Sequence, residues 1–226
     1  MIYPNILPAN FIARPNRFIA EVKIDGSPAF AHMKNTGRCR ELLVPGAAIY
    51  LSKSDNPLRK TQYDLVAVQK GARLINIDSQ APNKVYFERL QAGRYVENIT
   101  LIKPEAKYRQ SRFDFYIEAG ERKVFIEVKG VTLEENGVAM FPDAPTERGM
   151  KHLRELAASL QEGYEAQVVF VAQMDDVRYF APNNATHAAF GEALREAGAA
   201  GVKVVALDCS IAPDSLTIGK EIEVRL

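Results

Sequence analysis

The sequence predicts two domains: a small, OB-like β-barrel over residues 1–84 and an α/β domain over residues 85–226. Three observations support this division. Short β-type runs separated by turn residues fill the first part, strands and helices alternate in the second, and the net charge changes sign between them. At 226 residues and 47% hydrophobic content, the chain is long enough to bury a substantial core.

The N-terminal part contains short runs with strand character and no helical period. They are FIAEVKI, AFAHMKN, AAIYLSKS, YDLVAVQK and RLINIDSQ. The stretches between them, such as DGSP, NTG, VPG and SDNP, are rich in the residues that form turns. Several short strands in so small a segment indicate a closed or half-closed barrel.

After Asn83 the pattern changes. VYFERLQAG predicts a short helix, and SRFDFYIEAGERKVFIEVKG predicts a hairpin. A helix is expected to begin after Thr146 as its N-cap and to stop at Gly163. A buried strand QVVFVAQ, a helix NATHAAFGEALREAG capped by Thr186, and a strand VKVVAL follow. This alternation indicates an α/β layer.

The charge distribution favours a polyanion as the partner of the N-terminal part. Residues 1–85 contain 12 Lys and Arg against 6 Asp and Glu, whereas the remainder contains 17 against 22. No run has the length of a membrane span, and the start MIYPNILPANFIARPNRF lacks the pattern of a secretion signal. We therefore expect a cytoplasmic protein that does not bind a membrane.

Basic residues in two predicted barrel loops are expected to bind nucleic acid through its phosphates. They are Lys34, Arg38, Arg40, Arg59 and Lys60. His32 and Tyr63 are candidates for base stacking. Contacts of this kind give an affinity that falls steeply with salt and discriminates little between bases. DNA is the expected partner, and RNA is the alternative.

The predicted hairpin carries charges that strands seldom bury. With its turn around residues 119–122, Phe115 faces Ile126, Ile117 faces Val124, and Phe113 faces Val128, so these side chains form one apolar face. The same register places Asp114 opposite Glu127 on the other face, with Lys129 beside them.

Two facing carboxylates repel each other unless a cation neutralises them. Asp114, Glu127 and the backbone carbonyl of Val128 are therefore candidate ligands for Mg²⁺ or Mn²⁺. Lys129 could orient an attacking water or stabilise developing phosphate charge, so Asp114, Glu127 and Lys129 are the candidate catalytic residues. The alternative is an exposed ion cluster on an ordinary hairpin, and spacing alone favours that simpler interpretation.

Longer motifs resemble the sugar fermentation stimulation protein A family. They are AHMKNTGRCRELL, NPLRKTQYDLV, LINIDSQAPN, SRFDF, FIEVKGVTLEENGVAMFPDAPTERGMKHLREL and FVAQMDDVRYFAPN, and together they cover nearly the whole chain. The resemblance implies an OB-like domain followed by a domain similar to the PD-(D/E)XK nucleases and restriction endonucleases. Asp114 then matches the acidic residue of the first core strand, and Glu127, Val128 and Lys129 match the (D/E)xK element.

The resemblance also implies binding of DNA without marked sequence preference and a link to the regulation of sugar (maltose) utilisation. It does not establish nuclease activity, because proteins on one scaffold often differ in chemistry. His187 departs from the acidic residue expected after APNNAT, which puts a role for that position in doubt.

Further polar residues are expected around the metal site. They are Glu147, Arg148 and His152 on the predicted helix, and Gln173 at the end of the buried strand. A solvated helix face explains the first three equally well. Glu105, just ahead of the hairpin, is a further candidate carboxylate.

Three functions remain open. The first is a DNA-binding protein that retains a metal site with nuclease activity. The second is a DNA-binding regulator without chemistry. The third is a metal-dependent hydrolase that acts on RNA or on a small phosphorylated substrate. An exposed strand edge in the C-terminal sheet would also allow a homodimer.

Overall fold

The computed structural model describes residues 1–35, 37–93 and 96–226. An N-terminal β-barrel is followed by an α/β domain, which confirms the predicted fold class. The barrel and its extension contain six strands: β1 Ile6–Asn16, β2 Ile19–Ile24, β3 Ser27–His32, β4 Ala48–Lys53, β5 Tyr63–Lys70 and β6 Arg73–Asn76. The strand order is β3-β2-β1-β4-β5-β6, and a parallel pairing between β3 and β5 closes the barrel.

Strand β1 is absent from the sequence prediction, although it lies at the centre of the barrel sheet. Its residues ILPANFIARPN include two prolines, which lack the N–H that a strand ladder needs. Pro8 lies where β1 pairs only with β4, and Pro15 lies where β1 pairs only with β2. Each proline therefore has a free side, and the strand tolerates both.

The C-terminal domain is a nine-stranded sheet with helices on both faces. Its order is β10-β11-β13-β15-β14-β12-β9-β8-β7. The strands are β7 Ile99–Tyr108, β8 Ser111–Ala119, β9 Arg122–Val131, β10 Leu133–Glu135, β11 Val138–Phe141, β12 Glu165–Ala172, β13 Tyr179–Pro182, β14 Lys203–Ala212 and β15 Ser215–Val224. The helices are α1 Ala81–Gln91, α2 Glu147–Leu160 and α3 Asn184–Ala199. None of the helices described is long and apolar enough to cross a membrane.

The N-terminal cap of α2 is the residue predicted from the sequence, but that of α3 is not. Thr146 caps α2 by accepting a hydrogen bond from the Gly149 N–H at 3.0 Å, as predicted. The predicted cap Thr186 is wrong, because the side chain of Asn183 caps α3 instead and accepts from the Thr186 N–H. Asn183 also donates to the Thr186 hydroxyl at 2.8 Å, so the two polar side chains form one N-terminal turn.

The two outer strands of the sheet, β7 and β10, pair on one side only among the residues described. Such edges are where strand addition takes place. A homodimer through one of them stays a prediction.

Side chains at the ends of strands join the two domains. The Gln173 side chain donates to the Asn76 side-chain oxygen at 2.8 Å and to the Asp78 carbonyl at 3.0 Å. Buried Glu134 receives Lys70 at 3.0 Å and Arg73 at 2.6 Å, both from the barrel sheet. These contacts hold the barrel against the C-terminal ends of β9 and β12.

Glu134 should make the stability of this junction depend on pH. Burial would raise the pKa of Glu134, but the Gly137 N–H and the hydrogen bonds from Lys70 and Arg73 outweigh burial and lower the pKa to about 2. Because the folded-state pKa lies below the ordinary 4.5, the stabilisation is fully present above about pH 4.5 and is lost as the pH falls toward 2.

We expect Glu134→Gln to lower the free energy of unfolding by about 2 kcal/mol at pH 7, because bonds to a charged group are lost. Urea unfolding of the wild type and the variant should give a constant difference above pH 5 that narrows below pH 4.5. The exposed neighbour Glu135→Gln is the matched control. A difference that does not narrow in acid would contradict this role of Glu134.

Candidate metal site

The predicted hairpin register is confirmed where the strands pair. Phe115 lies opposite Ile126 and Ile117 opposite Val124, and Ala119 pairs with Arg122 at the turn. The ladder stops at Phe115, one residue before Asp114 reaches its partner. The other neighbour of Asp114, Glu105 on β7, is also outside the ladder and has a positive φ of 51°. Asp114 is therefore a residue at which the regular pairing of β8 is interrupted.

The interruption turns Phe113 away from its predicted face. Phe115 contacts Tyr86 and Phe87 of α1, with ring centroids 5.9 and 6.0 Å apart, whereas Phe113 lies 6.1 Å from the ring of His152 on α2. Residues two apart in a regular strand share a face. The expectation that Phe113 joins Phe115 on one apolar face is thus wrong, because the strand is irregular at Asp114.

A side-chain bond replaces the missing ladder bond. The Val128 N–H donates to Asp114 Oδ2 at 2.7 Å, and the Asn83 side chain on α1 donates to Oδ1 at 2.7 Å. Burial and the neighbouring Glu127 carboxylate nevertheless raise the pKa of Asp114 to about 6. The carboxylate is held by two donors but remains close to protonation near neutral pH.

Glu127 is buried, with an exposed fraction of 3%, so the interpretation as an exposed ion cluster is wrong. Its Oε1 contacts Nδ1 of His152 and lies 2.5 Å from Nζ of Lys129. Burial by itself would raise the pKa of Glu127, but the hydrogen bond from His152 and the charge of Lys129 outweigh it, and the pKa lies below its ordinary value. Glu127 is therefore ionised at neutral pH.

The second oxygen of Glu127 has no partner. Oε2 is buried and accepts no hydrogen bond from any described residue. A buried ionised oxygen without a donor is costly, and it marks a position where a cation could bind.

His152 is held from both sides in one tautomer. Its Nδ1 donates to Glu127, and its Nε2 accepts from Nε of Arg148 at 3.4 Å. Because Arg148 can only donate, the proton is assigned to Nδ1. The chain Arg148, His152, Glu127 thus fixes Oε1 and leaves Oε2 free.

The donor set fits a hard divalent cation. In a regular strand the N–H and C=O of one residue point toward the same neighbouring strand, so we expect the Val128 carbonyl on the side of Asp114, to which the Val128 N–H donates. Two carboxylates and a carbonyl are oxygen ligands of the type that Mg²⁺ and Mn²⁺ prefer. Within residues 1–35, 37–93 and 96–226, no three His, Cys, Asp or Glu side chains converge on one point, so water or substrate would complete the coordination.

The other residues predicted around the site differ in position. His152 contacts Glu127 directly, and Arg148 is joined to the site through its hydrogen bond to His152. Gln173 is buried over Gly130, where an added Cβ would lie 2.6 Å from its side-chain oxygen. Gln173 therefore packs against β9 at the residue after Lys129. Its side-chain amide donates hydrogen bonds to Asn76 and to the Asp78 carbonyl.

Two acidic candidates point elsewhere. The Glu147 side chain is 84% exposed and lies 3.8 Å from His187, whose Nδ1 accepts from the Thr146 N–H at 3.2 Å. Glu105 pairs with Arg112 at 2.9 Å on the surface of β7 and β8. Their ion pairs are therefore with Arg112 and His187, away from the Asp114 and Glu127 carboxylates.

The predicted basic residues separate into two groups. Lys34 pairs with Asp78 at 2.9 Å, and Arg59 pairs with both oxygens of Asp64 at 2.5 and 3.1 Å. These two cations are largely neutralised. Arg38, Arg40 and Lys60 are exposed. The predicted stacking residues His32 and Tyr63 are half-buried on adjacent strands, and His32 lies 3.3 Å from Asp64.

Asn83 is the residue of this site that sequence reasoning missed. It belongs to the motif LINIDSQAPN, but its contact with Asp114 spans 31 residues and depends on the packing of α1 against the hairpin. The conformation of the preceding turn also matters, because Asp78 accepts from the Gln80 N–H at 2.9 Å ahead of α1. The polar residues around Pro82 were the only signal in the sequence.

Comparison with known proteins identifies similar chains over the full length. The model described as the SfsA N-terminal OB domain matches residues 12–77, and that described as the sugar fermentation stimulation protein RE domain matches residues 80–215. The sugar fermentation stimulation protein homolog of Desulfitobacterium hafniense (strain Y51) is 58% identical over 226 residues, covering 100% of this chain and 99% of the relative. The homolog of Ruminiclostridium cellulolyticum is 57% identical and covers 100% of both chains.

A solved structure is similar to the whole fold. It is that of Pyrococcus furiosus SfsA in complex with Ca²⁺, which is 29% identical and has a TM-score of 0.91. The similarity covers 100% of this chain and 98% of the Pyrococcus furiosus chain.

Removal of His152 should weaken metal binding without removing a ligand. We expect Glu127→Gln to abolish Mn²⁺ binding and His152→Ala to raise the Kd by about 10- to 100-fold, because partners that orient ligands have effects of that size. Isothermal titration calorimetry on the purified chain measures both.

His152→Asn is the informative companion variant, because its side-chain amide can donate to Glu127 and should recover part of the affinity. Arg154→Ala on the exposed side of α2 is the control. An unchanged Kd in His152→Ala would show that His152 does not position the carboxylate.

Proposed function

Because the chain belongs to the sugar fermentation stimulation protein family, we propose that its restriction-endonuclease-like domain hydrolyses phosphodiester bonds of nucleic acid with Mg²⁺ or Mn²⁺. The barrel would hold the substrate, which we propose to be DNA bound without marked sequence preference. One observation carries the proposal: Glu127 places a buried, unpartnered carboxylate oxygen beside Asp114 and Lys129.

The proposed ligands are Asp114, Glu127 and the Val128 carbonyl. The Ca²⁺ complex of the Pyrococcus furiosus relative supports a site for a hard cation, since Ca²⁺, Mg²⁺ and Mn²⁺ all take oxygen ligands. When bound, such a cation stabilises the negative charge that builds up on a phosphate during hydrolysis. Burial and Glu127 raise the pKa of Asp114, so its ionised form is disfavoured in the protein alone. A bound cation would favour that ionised form.

Lys129 is the proposed catalytic cation of the chain itself. Its Nζ lies at Oε1 of Glu127, and the side chain is 15% exposed, so it borders the space that a substrate would enter. From there the ammonium group can hold a water for attack or hold the developing charge of the phosphate. Glu127 keeps Lys129 in place, and His152 keeps Glu127 in place.

DNA is the proposed partner because of the charge of the barrel. Residues 1–85 contain twice as many Lys and Arg as Asp and Glu. Arg38, Arg40 and Lys60 are exposed and available to phosphates. RNA offers the same phosphates, so it remains the alternative polyanion.

A DNA-binding regulator without catalysis is the second candidate. It is favoured by the contacts of Glu127, whose charge Lys129 offsets and whose Oε1 also accepts a hydrogen bond from His152, without any added cation. In that case the carboxylates would be structural, and any link to sugar utilisation would act through DNA binding alone. The unpartnered Oε2 is what this alternative leaves without an explanation.

Cleavage of end-labelled nucleic acid distinguishes the two candidates. We expect the wild type to cut DNA with Mg²⁺ or Mn²⁺ but not with EDTA, and Glu127→Ala and Lys129→Ala to lose at least about a thousandfold in rate. Single- and double-stranded DNA and RNA are tested side by side. Glu105→Ala, which removes an exposed carboxylate paired with Arg112, is the matched control and should cut normally.

Binding is measured on the same proteins by anisotropy in EDTA. Retained binding by Glu127→Ala, together with lost cleavage, supports an enzyme whose site lies in the hairpin. Salt-sensitive binding without cleavage of any substrate would instead favour the regulator.

A further inference from the structure

Four arginines surround one depression on the barrel surface. Arg14, Arg17, Arg38 and Arg40 line it together with Asn16, Gly37 and Leu43, and its volume is about 420 Å³. Among the described residues that line it, none is Asp or Glu. This cluster differs from Lys34 and Arg59, whose charges are balanced by Asp78 and Asp64.

The depression is held in shape from within. Arg14 donates to the carbonyls of Asn35, Gly37 and Arg38 at 2.7 to 3.0 Å, and to that of Arg17 at 2.9 Å. With its guanidinium used on the backbone, Arg14 organises the loop, while Arg17, Arg38 and Arg40 remain exposed to bind a ligand. A fixed backbone lowers the entropic cost of binding.

An exposed aromatic ring lies beside this cluster. Phe18 is 48% exposed, and the guanidinium of Arg17 lies 5.4 Å from its ring centroid. The Phe18 N–H donates to the Asn16 side chain at 2.9 Å, and its carbonyl accepts from the Met33 N–H at 2.8 Å. The ring is thus presented by a fixed turn next to Arg17, which is one of the exposed cations that line the depression.

A second cavity adjoins the depression at Gly37. Gly37 also lines this cavity, whose volume is about 330 Å³ and whose other lining residues include Gly130 and Gln173. Gly130 directly follows Lys129. Gly37 has no room for a side chain, because an added Cβ would lie 2.5 Å from a carboxylate oxygen of Asp143, which accepts the Arg38 N–H at 3.1 Å. The barrel loop and the loop ahead of α2 therefore form one continuous surface.

We infer that this surface binds a single-stranded segment of nucleic acid, with phosphates on Arg17, Arg38 and Arg40 and one base stacked on Phe18. An aromatic ring beside a cationic groove is the arrangement that binds single strands, because only unpaired bases offer a free face for stacking. Arg17 next to the ring adds a cation–π contact to that base. The strand would then run past Gly37 toward Lys129.

The inference rests on the proposed binding of nucleic acid but not on cleavage. It deepens the proposed function by naming the form of the substrate and the face that holds it. A duplex would still bind to the arginines through its phosphates, but it would gain nothing from Phe18.

The test measures anisotropy of labelled oligothymidylate and of a duplex of the same length in EDTA, over a range of salt. Arg38→Ala combined with Arg40→Ala should weaken single-strand binding at least tenfold and lower the slope of log K against log salt by about 1.4, at about 0.7 for each phosphate contact. Phe18→Ala should weaken single-strand binding about tenfold and leave duplex binding unchanged.

Arg154→Ala combined with Arg195→Ala removes two exposed charges from the outer helices and is the matched control, with binding expected to be unchanged. Phe18→Leu keeps an apolar side chain but loses the ring, and should behave like Phe18→Ala. Circular dichroism checks that each variant is folded.

Equal loss of single-strand and duplex binding in Phe18→Ala, or no loss in either, would overturn the inference while leaving nucleic-acid binding intact. Unchanged binding by the arginine double variant would also overturn it. If the wild type binds neither oligonucleotide, both the inference and the proposed partner are wrong.

Discussion

The hydrogen bond from the Val128 N–H to the Asp114 carboxylate is the contact on which the site depends. It takes the place of a strand-to-strand bond, and the regular pairing of β8 with β9 ends at Phe115, next to Asp114. Phe113 then turns to the α2 face beside His152, whereas Phe115 stays with α1. Without this side-chain hydrogen bond, Asp114 would pair as an ordinary strand residue.

The burial of the carboxylates explains why α1, α2 and the barrel all supply side chains that hold the site in the hairpin. Buried carboxylates are costly unless hydrogen-bond donors or a cation satisfy their oxygens. Asn83 from α1 holds Asp114, and His152 from α2 holds Glu127. The turn that leads into α1 is itself anchored by Asp78, which binds Lys34 of the barrel. The barrel, α1 and the carboxylates are therefore linked by consecutive hydrogen bonds.

The sequence predicts the regular parts of this structure and misses those set by long-range contacts. The hairpin register follows from alternation and a short turn, so Phe115 opposite Ile126 could be predicted. The change of sheet face at Phe113 could not be predicted, because it results from the hydrogen bond that Asp114 accepts from the Val128 N–H. Likewise, Lys34 looks available in the sequence, but Asp78 pairs with it across 44 residues of chain. Arg59 also looks available, although its partner Asp64 lies five residues further along the chain. Strand β1 was missed because Pro8 and Pro15 argue against a strand until its one-sided pairing is known.

The most direct test of the account is the position of a bound metal. Crystals of the chain soaked in Mn²⁺ should give an anomalous difference peak within about 2.5 Å of Glu127 Oε2, an Asp114 oxygen and the Val128 carbonyl. Lys129 and His152 should remain at Oε1 of Glu127, as in the structure described here. A peak at other residues, or none at saturating Mn²⁺, would contradict the assignment of the paired carboxylates as a metal site.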